Sequence, residues 1–180
     1  MGRTFSLRGE LTIADNAILA PSPLYGSMLL DYQSPDRRKA GKVNAAYMWP
    51  RDVDEEIGST DGMGILNATL FTDQMRVPGF NDMSAAGENR QFGWCQQQFL
   101  IRHAGTDFAV ANGGNGIADF LIDPDTLVTK EMYLGFFFRT ESATSPERTW
   151  NYMIELEEVK ISSNESILQQ LKGIGQDIDS

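Results

Sequence analysis

The sequence predicts an all-β chain, an antiparallel, jelly-roll-like β-sandwich that carries one short C-terminal helix. Three observations point there. Apolar and polar side chains alternate with period two in seven or eight short runs, the pattern of half-buried strands. Amphipathic helical periodicity is missing between those runs, which argues against doubly wound architectures that place a helix after each strand. Helix capping and an apolar stripe at helical spacing occur together once, near the C-terminus. With 180 residues, 41% hydrophobic and 22% charged side chains, the chain is expected to form a single domain over residues 1–180.

The first strand is drawn by Phe5, Leu7, Gly9, Leu11 and Ile13 on one face and Ser6, Arg8, Glu10 and Thr12 on the other. Residues 1–4 and the Pro21/Pro23 connection on either side of it suggest an N-terminal arm within 1–23. Further strands are expected at 25–32, 42–49, 65–71, 92–102 and 108–111. In the second of these Val43, Ala45, Tyr47 and Trp49 are in phase, and in the third Leu66, Ala68 and Leu70. Asn112-Gly113-Gly114-Asn115-Gly116 closes the series as a turn or loop, because Gly and Asn tolerate positive φ. No Lys-Ser/Thr follows it, so a phosphate-cradling reading is poor.

The last third is the most strongly patterned. Residues 127–140 are apolar on both faces near their end, with Met132, Leu134, Phe136 and Phe138 on one side and Tyr133 and Phe137 on the other. Burial on both faces implies a central strand or a subunit contact. Trp150, Tyr152, Ile154 and Leu156 then alternate with Asn151, Met153, Glu155 and Glu157. A short polar loop with Pro146 joins the two runs, which suggests a hairpin. Ser162 and Glu165 have capping-box spacing, and Ile167, Leu168, Leu171 and Ile174 form the stripe of a helix over 163–174, expected to cover an edge or end of the sheets.

Two segments, 50–64 and 73–90, fit neither strand nor helix and exceed the usual loop length in a compact domain. Met75, Val77, Phe80 and Met83 make the second too apolar for a solvated loop. They are expected against another subunit or against the domain's own body. Charge is unevenly divided: residues 1–50 hold six basic and four acidic side chains, and residues 51–180 hold nine basic and 21 acidic, within a formal net charge of −10. The acidic remainder repels nucleic acid, and direct nucleic-acid binding is not expected. Arg37, Arg38, Lys39 and Lys42 form the one compact basic cluster, either a solvated turn or a contact for an acidic face of a neighbouring protein.

One cysteine, Cys95, and one histidine, His103, limit the chemistry. Zinc sites of the Cys/His type, paired-histidine metalloprotease helices and an intrachain disulfide each need more such residues than the chain has. Cys95, between Trp94 and Gln96, reads as a buried small apolar side chain, and His103 as a loop residue at a strand end. Glu155 and Glu157 stand two apart on one strand, roughly 7 Å, but alternation turns them away from the Trp150 face, as on a solvated strand face. Asp52, Asp54, Glu55 and Glu56 form one acidic cluster and Asp119, Asp123 and Asp125 another. Neither has the spacing of a calcium loop, so no metal or cofactor is expected. Nor is any catalytic residue, and the chain is read as a non-enzyme.

The segment DPDTLVTKEMYLGFFFRTESATSPERTWNYMIELEEVKIS over residues 123–162, followed by NESILQQLKGIGQDI, resembles the C-terminal half of small virion structural proteins of tailed bacteriophages. The shared pattern is a leading Asp-x-x-Thr-Leu-Val strand, a hairpin and a final Asn-Tyr-x-Ile-x-Leu-Glu strand ahead of a short helix. That resemblance implies a β-sandwich assembling in many copies on a particle, most simply as a capsid decoration or cement subunit, with a tail tube or baseplate component as the alternative. Its partners would be copies of itself and other virion proteins such as the major capsid protein, with no membrane partner. Its location would be the virion after synthesis in the host cytoplasm. From a different class, a carbohydrate-binding sandwich would use Tyr25, Trp49, Trp94 or Trp150 as a stacking platform.

Overall fold

A computed structural model describes residues 2–14, 24–30, 38–51, 62–72, 87, 88, 90–104, 107–111, 117–140 and 147–174. Among them the chain forms β1 (Thr4–Ala14), β2 (Leu24–Leu30), β3 (Lys39–Pro50), β4 (Gly62–Phe71), β5 (Gln91–Ala104) and β6 (Asp107–Ala111). Then follow the two-residue strands β7 (Ala118–Asp119), β8 (Leu121–Ile122) and β9 (Leu127–Val128), the long strands β10 (Met132–Thr140) and β11 (Glu147–Lys160), and helix α1 (Ser163–Ile174).

The strands make two sheets. Sheet I has the order β1-β11-β3-β7, with β9 also on β3; sheet II has the order β2-β10-β4-β5-β6, with β8 also on β5. Every pairing is antiparallel. The chain passes from one sheet to the other at most of its connections. The last long strand of each sheet inserts between strands from the first half. This interleaving of early and late strands in two antiparallel sheets, of five and six strands, is a jelly-roll-like arrangement, as the alternation predicted.

Alternation is faithful in β1 and β11. Phe5, Leu7 and Leu11 of β1 lie opposite Leu156, Ile154 and Trp150 of β11, so both strands turn one apolar row into the sandwich. Residues 4–14 are therefore a full-length sheet strand and no part of an arm. The hydroxyls of Thr12 and Thr149, also opposite one another, share a hydrogen bond of 2.9 Å on the outer face.

In β3 the phase differs from the expected one. Asn44 is an extra residue between Val43, opposite Leu156, and Ala45, opposite Glu155. A bulge of this kind shifts the two-residue period by one. Val43 on one side of it and Ala46 and Met48 on the other all reach the core. Tyr47 and Trp49, expected in phase with Val43, are instead half-buried on the outer face. A second bulge leaves Phe92 unpaired between Leu70↔Gly93 and Phe71↔Gln91. Phe92 is fully buried in the core, and its carbonyl accepts the Asp123 N–H at 2.7 Å.

Residues 132–140 and 147–160 do not form the expected hairpin: β10 lies between β2 and β4 in sheet II, and β11 between β1 and β3 in sheet I. Each strand is central in its own sheet, so it already has hydrogen-bonded neighbours on both sides. The two strands meet through side chains. Phe138 and Trp150, both fully buried, have ring centroids 5.1 Å apart at an interplanar angle of 54°. Burying each such ring stabilises by about 1.5–3 kcal/mol, and the pair adds roughly 0.5–1.5 kcal/mol. β10 is buried on both faces from Met132 to Phe138, as a central strand should be.

Helix α1 occupies its expected span, and the Ser162 hydroxyl accepts the Glu165 N–H at 3.1 Å as an N-cap. Its stripe is not laid on the sheets. Ile167, Leu168 and Leu171 are 55%, 66% and 53% exposed, while Ser166, 4% exposed, is the buried one among the described helix side chains; the Ile174 side chain lies outside them. The cause is the short tether from β11: Ile161 is buried and its N–H donates to the Arg38 carbonyl at 2.9 Å, so the helix leaves the sheet with little freedom to roll.

Candidate functional site

The basic cluster lies at the start of β3, beside the acidic end of β11. Lys39 Nζ contacts Glu158 Oε1 at 2.8 Å, with both side chains partly exposed. Lys42 stands directly opposite Glu157 in the register. Arg38 is an exposed turn residue whose carbonyl is taken by Ile161. Part of the cationic charge expected to face a neighbour thus already meets carboxylates of the same chain. Such exposed pairs stabilise by only about 0–1 kcal/mol. Arg37, and the apolar loop residues Met75, Val77, Phe80 and Met83, lie outside the described residues.

Carboxylates elsewhere have structural settings. Glu155 is exposed and Glu157 half-buried on the outer face of sheet I, the solvated strand face that alternation predicted. Asp123 accepts the Thr126 hydroxyl at 2.6 Å and the Asp125 N–H at 3.1 Å, which closes the turn ahead of β9. Among the described residues no three His, Cys, Asp or Glu side chains gather as metal ligands would. Asp52, Asp54, Glu55 and Glu56 lie outside the described residues. Cys95 is buried in the core, and burial, reinforced by the Asp119 charge, pushes its thiol up to about 12. His103 sits in β5 opposite Phe108.

One ion pair escaped the sequence reading. Arg90 holds the Glu88 carboxylate two-handed, with Nε to Oε1 at 2.8 Å and Nη2 to Oε2 at 2.9 Å. The Arg90 N–H adds a third bond, at 3.2 Å. The Arg90 side-chain hydrogen bonds hold Glu88 below the usual carboxylate range against the opposing effect of burial. The Arg90 carbonyl accepts the Thr72 N–H at 3.0 Å, so the pair clamps the entry of β5 to the exit of β4. A two-residue spacing of opposite charges just ahead of a strand is the only sequence signal for it.

The aromatic platform predicted from Tyr25, Trp49, Trp94 and Trp150 is dispersed. Trp150 is in the core, Trp94 donates its indole N–H to Gln91 Oε1 at 2.9 Å on the outer face of sheet II, and Trp49 is on the outer face of sheet I opposite Asn151. The Tyr25 side chain lies outside the described ones. Gln96 and Gln98 are exposed while Gln97 is half-buried.

The surface features that remain are apolar. Leu121 is 74% exposed, and with the α1 stripe and Ile117 it makes up the exposed large hydrophobic side chains among the described residues. Solvent gains nothing from a leucine at a helix surface, whereas a partner that covers it does. The site with the clearest functional content is therefore a contact surface. Among the described residues no helix is long and apolar enough to cross a membrane.

No protein-family model matches the chain, and no curated protein matches it. Among solved structures it is similar to the 60-mer BFDV capsid protein, with 11% identity, a TM-score of 0.35, and coverage of 89% of this chain and 95% of that one. It is also similar to Merkel cell polyomavirus VP1, solved in complex with 3'-sialyllactosamine, with 6% identity, a TM-score of 0.34, and coverage of 85% and 94%.

Proposed function

We propose that the chain is a non-enzymatic structural subunit of a virus particle, and within that class a decoration or cement subunit on the capsid of a tailed phage. The observation that carries this reading is a jelly-roll body whose terminal helix presents leucine and isoleucine outward, a surface suited to a protein partner. The two-sheet topology is one that viral capsid and lectin domains use, which supports the class by analogy. The resemblance of residues 123–162 to small virion proteins supports the tailed-phage assignment. Contacts with neighbouring subunits and with the major capsid protein would involve Arg37, Arg38, Lys39 and Lys42, and Met75, Val77, Phe80 and Met83. The division between a mildly basic start and an acidic remainder suits contact between oppositely charged segments of adjacent subunits.

Immunogold electron microscopy of purified phage particles, with antibody raised to this chain, tests the reading. Label over the capsid is the expected result, and label along the tail would move the chain to the tail tube or baseplate. Particles with no label would remove the virion assignment.

A carbohydrate-binding role is the second reading. It draws on Trp49 and Tyr47, two residues apart on the outer face of sheet I beside Asn151 and Met153. A glycan array on the wild-type chain and on Trp49→Ala decides it.

A further inference from the structure

We infer that β1 is a self-contact, in which its outer edge pairs antiparallel with β1 of a second copy of this chain and joins the two copies of sheet I into one. The inference stands on this strand alone and holds whether or not the chain is a virion subunit. Among the described residues β1 has a strand partner on one side only, β11. It is also the longest edge strand, with 11 residues against 7 in β2, 5 in β6 and 2 in β7. Long edges are usually interrupted by a proline, a bulge or a covering element. β1 has no proline, and its register with β11 runs unbroken from Thr4 to Ala14. One bond fixes the direction of its backbone groups. The Glu158 N–H donates to the Arg3 carbonyl at 2.9 Å, so Arg3 and the odd-numbered residues after it turn their N–H and C=O toward β11. Thr4, Ser6, Arg8, Glu10 and Thr12 turn theirs to the outer edge.

The residues on that edge select a second copy of the same strand. Arg8 and Glu10 are exposed on the outer face, and across sheet I they face Met153 and Asn151. Among the described residues neither takes part in an ion pair of its own chain. Of the two-fold pairings that match the backbone groups, the one centred on Gly9 aligns all 11 residues of the strand. In it Arg8 of each copy meets Glu10 of the other, and Ser6 meets Thr12. Centring on Arg8 or on Glu10 sets like charges together, and centring on Leu7 or Leu11 sets neither charge against the other. On the inner face the Gly9-centred register brings Leu7 against Leu11 of the second copy. It would finish covering Phe5 and Leu7, which are half-buried in the single chain. Main-chain hydrogen bonds supply the affinity of such a contact, and the opposite charges at mid-strand fix its register.

Disulfide trapping in the full-length protein tests the register, with Cys95 silent because it is buried. Ser6→Cys and Thr12→Cys both lie on the outer face. A mixture of the two variants should form a copy-to-copy disulfide on mild oxidation, because directly opposed residues have Cα atoms about 5.5 Å apart. Ser6→Cys alone should not, since its counterpart lies about six residues out of register, roughly 20 Å away. Sedimentation equilibrium supplies the second measurement. Arg8→Glu should weaken self-association at least about fivefold, and Arg8→Glu combined with Glu10→Arg should restore it to within about twofold of wild type. The inference is overturned by Ser6→Cys cross-linking alone as readily as in the mixture, by a wild-type chain that is monomeric at millimolar concentration, by a dimer that the mixture leaves uncross-linked, or by a charge exchange that restores nothing.

Discussion

Phe71 and Tyr133 lie opposite one another across β4 and β10, rings stacked with centroids 5.5 Å apart and planes 9° from parallel. They are on the side of sheet II turned away from the main core, and both are buried. The Phe71 ring extends over Gly135, where a Cβ would meet Phe71 Cε1 at 2.9 Å. Glycine is required there so that the ring can lie on the strand. Gly135→Ala should lower stability by about 1–3 kcal/mol in urea denaturation. Gly87→Ala, with nothing within 4 Å of the new methyl group, should lower it by no more than about 0.5 kcal/mol.

Phe138 of sheet II and Trp150 of sheet I join the two sheets. Phe138→Ala is expected to cost about 3–5 kcal/mol, and Phe138→Leu markedly less, because leucine refills most of the space. Chemical denaturation should show a lower midpoint with unchanged slope.

The Glu88 and Arg90 clamp makes a specific demand on pH. Glu88 has a folded-state pKa below that of the unfolded chain, so its ionised form is the one that folding favours. Its stabilising contribution is present above the unfolded carboxylate pKa and fades as pH falls through the lower folded value. Glu88→Gln should therefore cost about 1 kcal/mol at pH 7. Thermal melts of variant and wild type should converge as the pH drops into the range where Glu88 is protonated in both states.

Cys95 should behave as an apolar core residue. Its thiol, raised to about 12 by burial, is un-ionised at pH 8, and the thiolate is the reactive form. A thiol reagent at pH 8 should label the native chain negligibly and label it fully in guanidinium chloride; rapid labelling of the native state would contradict the burial.

The strands with an unbroken period were legible. β1, β4 and β11 show which side chains face inward because each position alternates cleanly, and α1 carries its own capping signal. What escaped was whatever depends on distant residues. Nothing local distinguishes Asn44 as an inserted residue, since the bulge exists only relative to β11. Residues 132–140 and 147–160 are neighbours in sequence, and sequence proximity favours a hairpin. Their separation into different sheets follows from partners contributed by the first half of the chain. The outward roll of α1 was hidden for the same reason, because periodicity defines a stripe without saying what it faces. Of the contact surface, the basic cluster was visible, whereas its neutralisation was not: Lys39 meets a carboxylate 119 residues away. β7, β8 and β9 have two residues each, too few to display any period.

The register of β1 against β11 also bears on when the molecule can form. Thr12 and Thr149 are separated by 137 residues, and β11 is the strand that holds β1 and β3 in one sheet. During synthesis, sheet I has no centre until the ribosome has released β11. Such non-local closure is slow because loop entropy must be overcome before any contact forms. α1 emerges directly behind that strand. The exposed stripe is therefore displayed only once the body it stands on can close, which limits premature sticking between nascent chains.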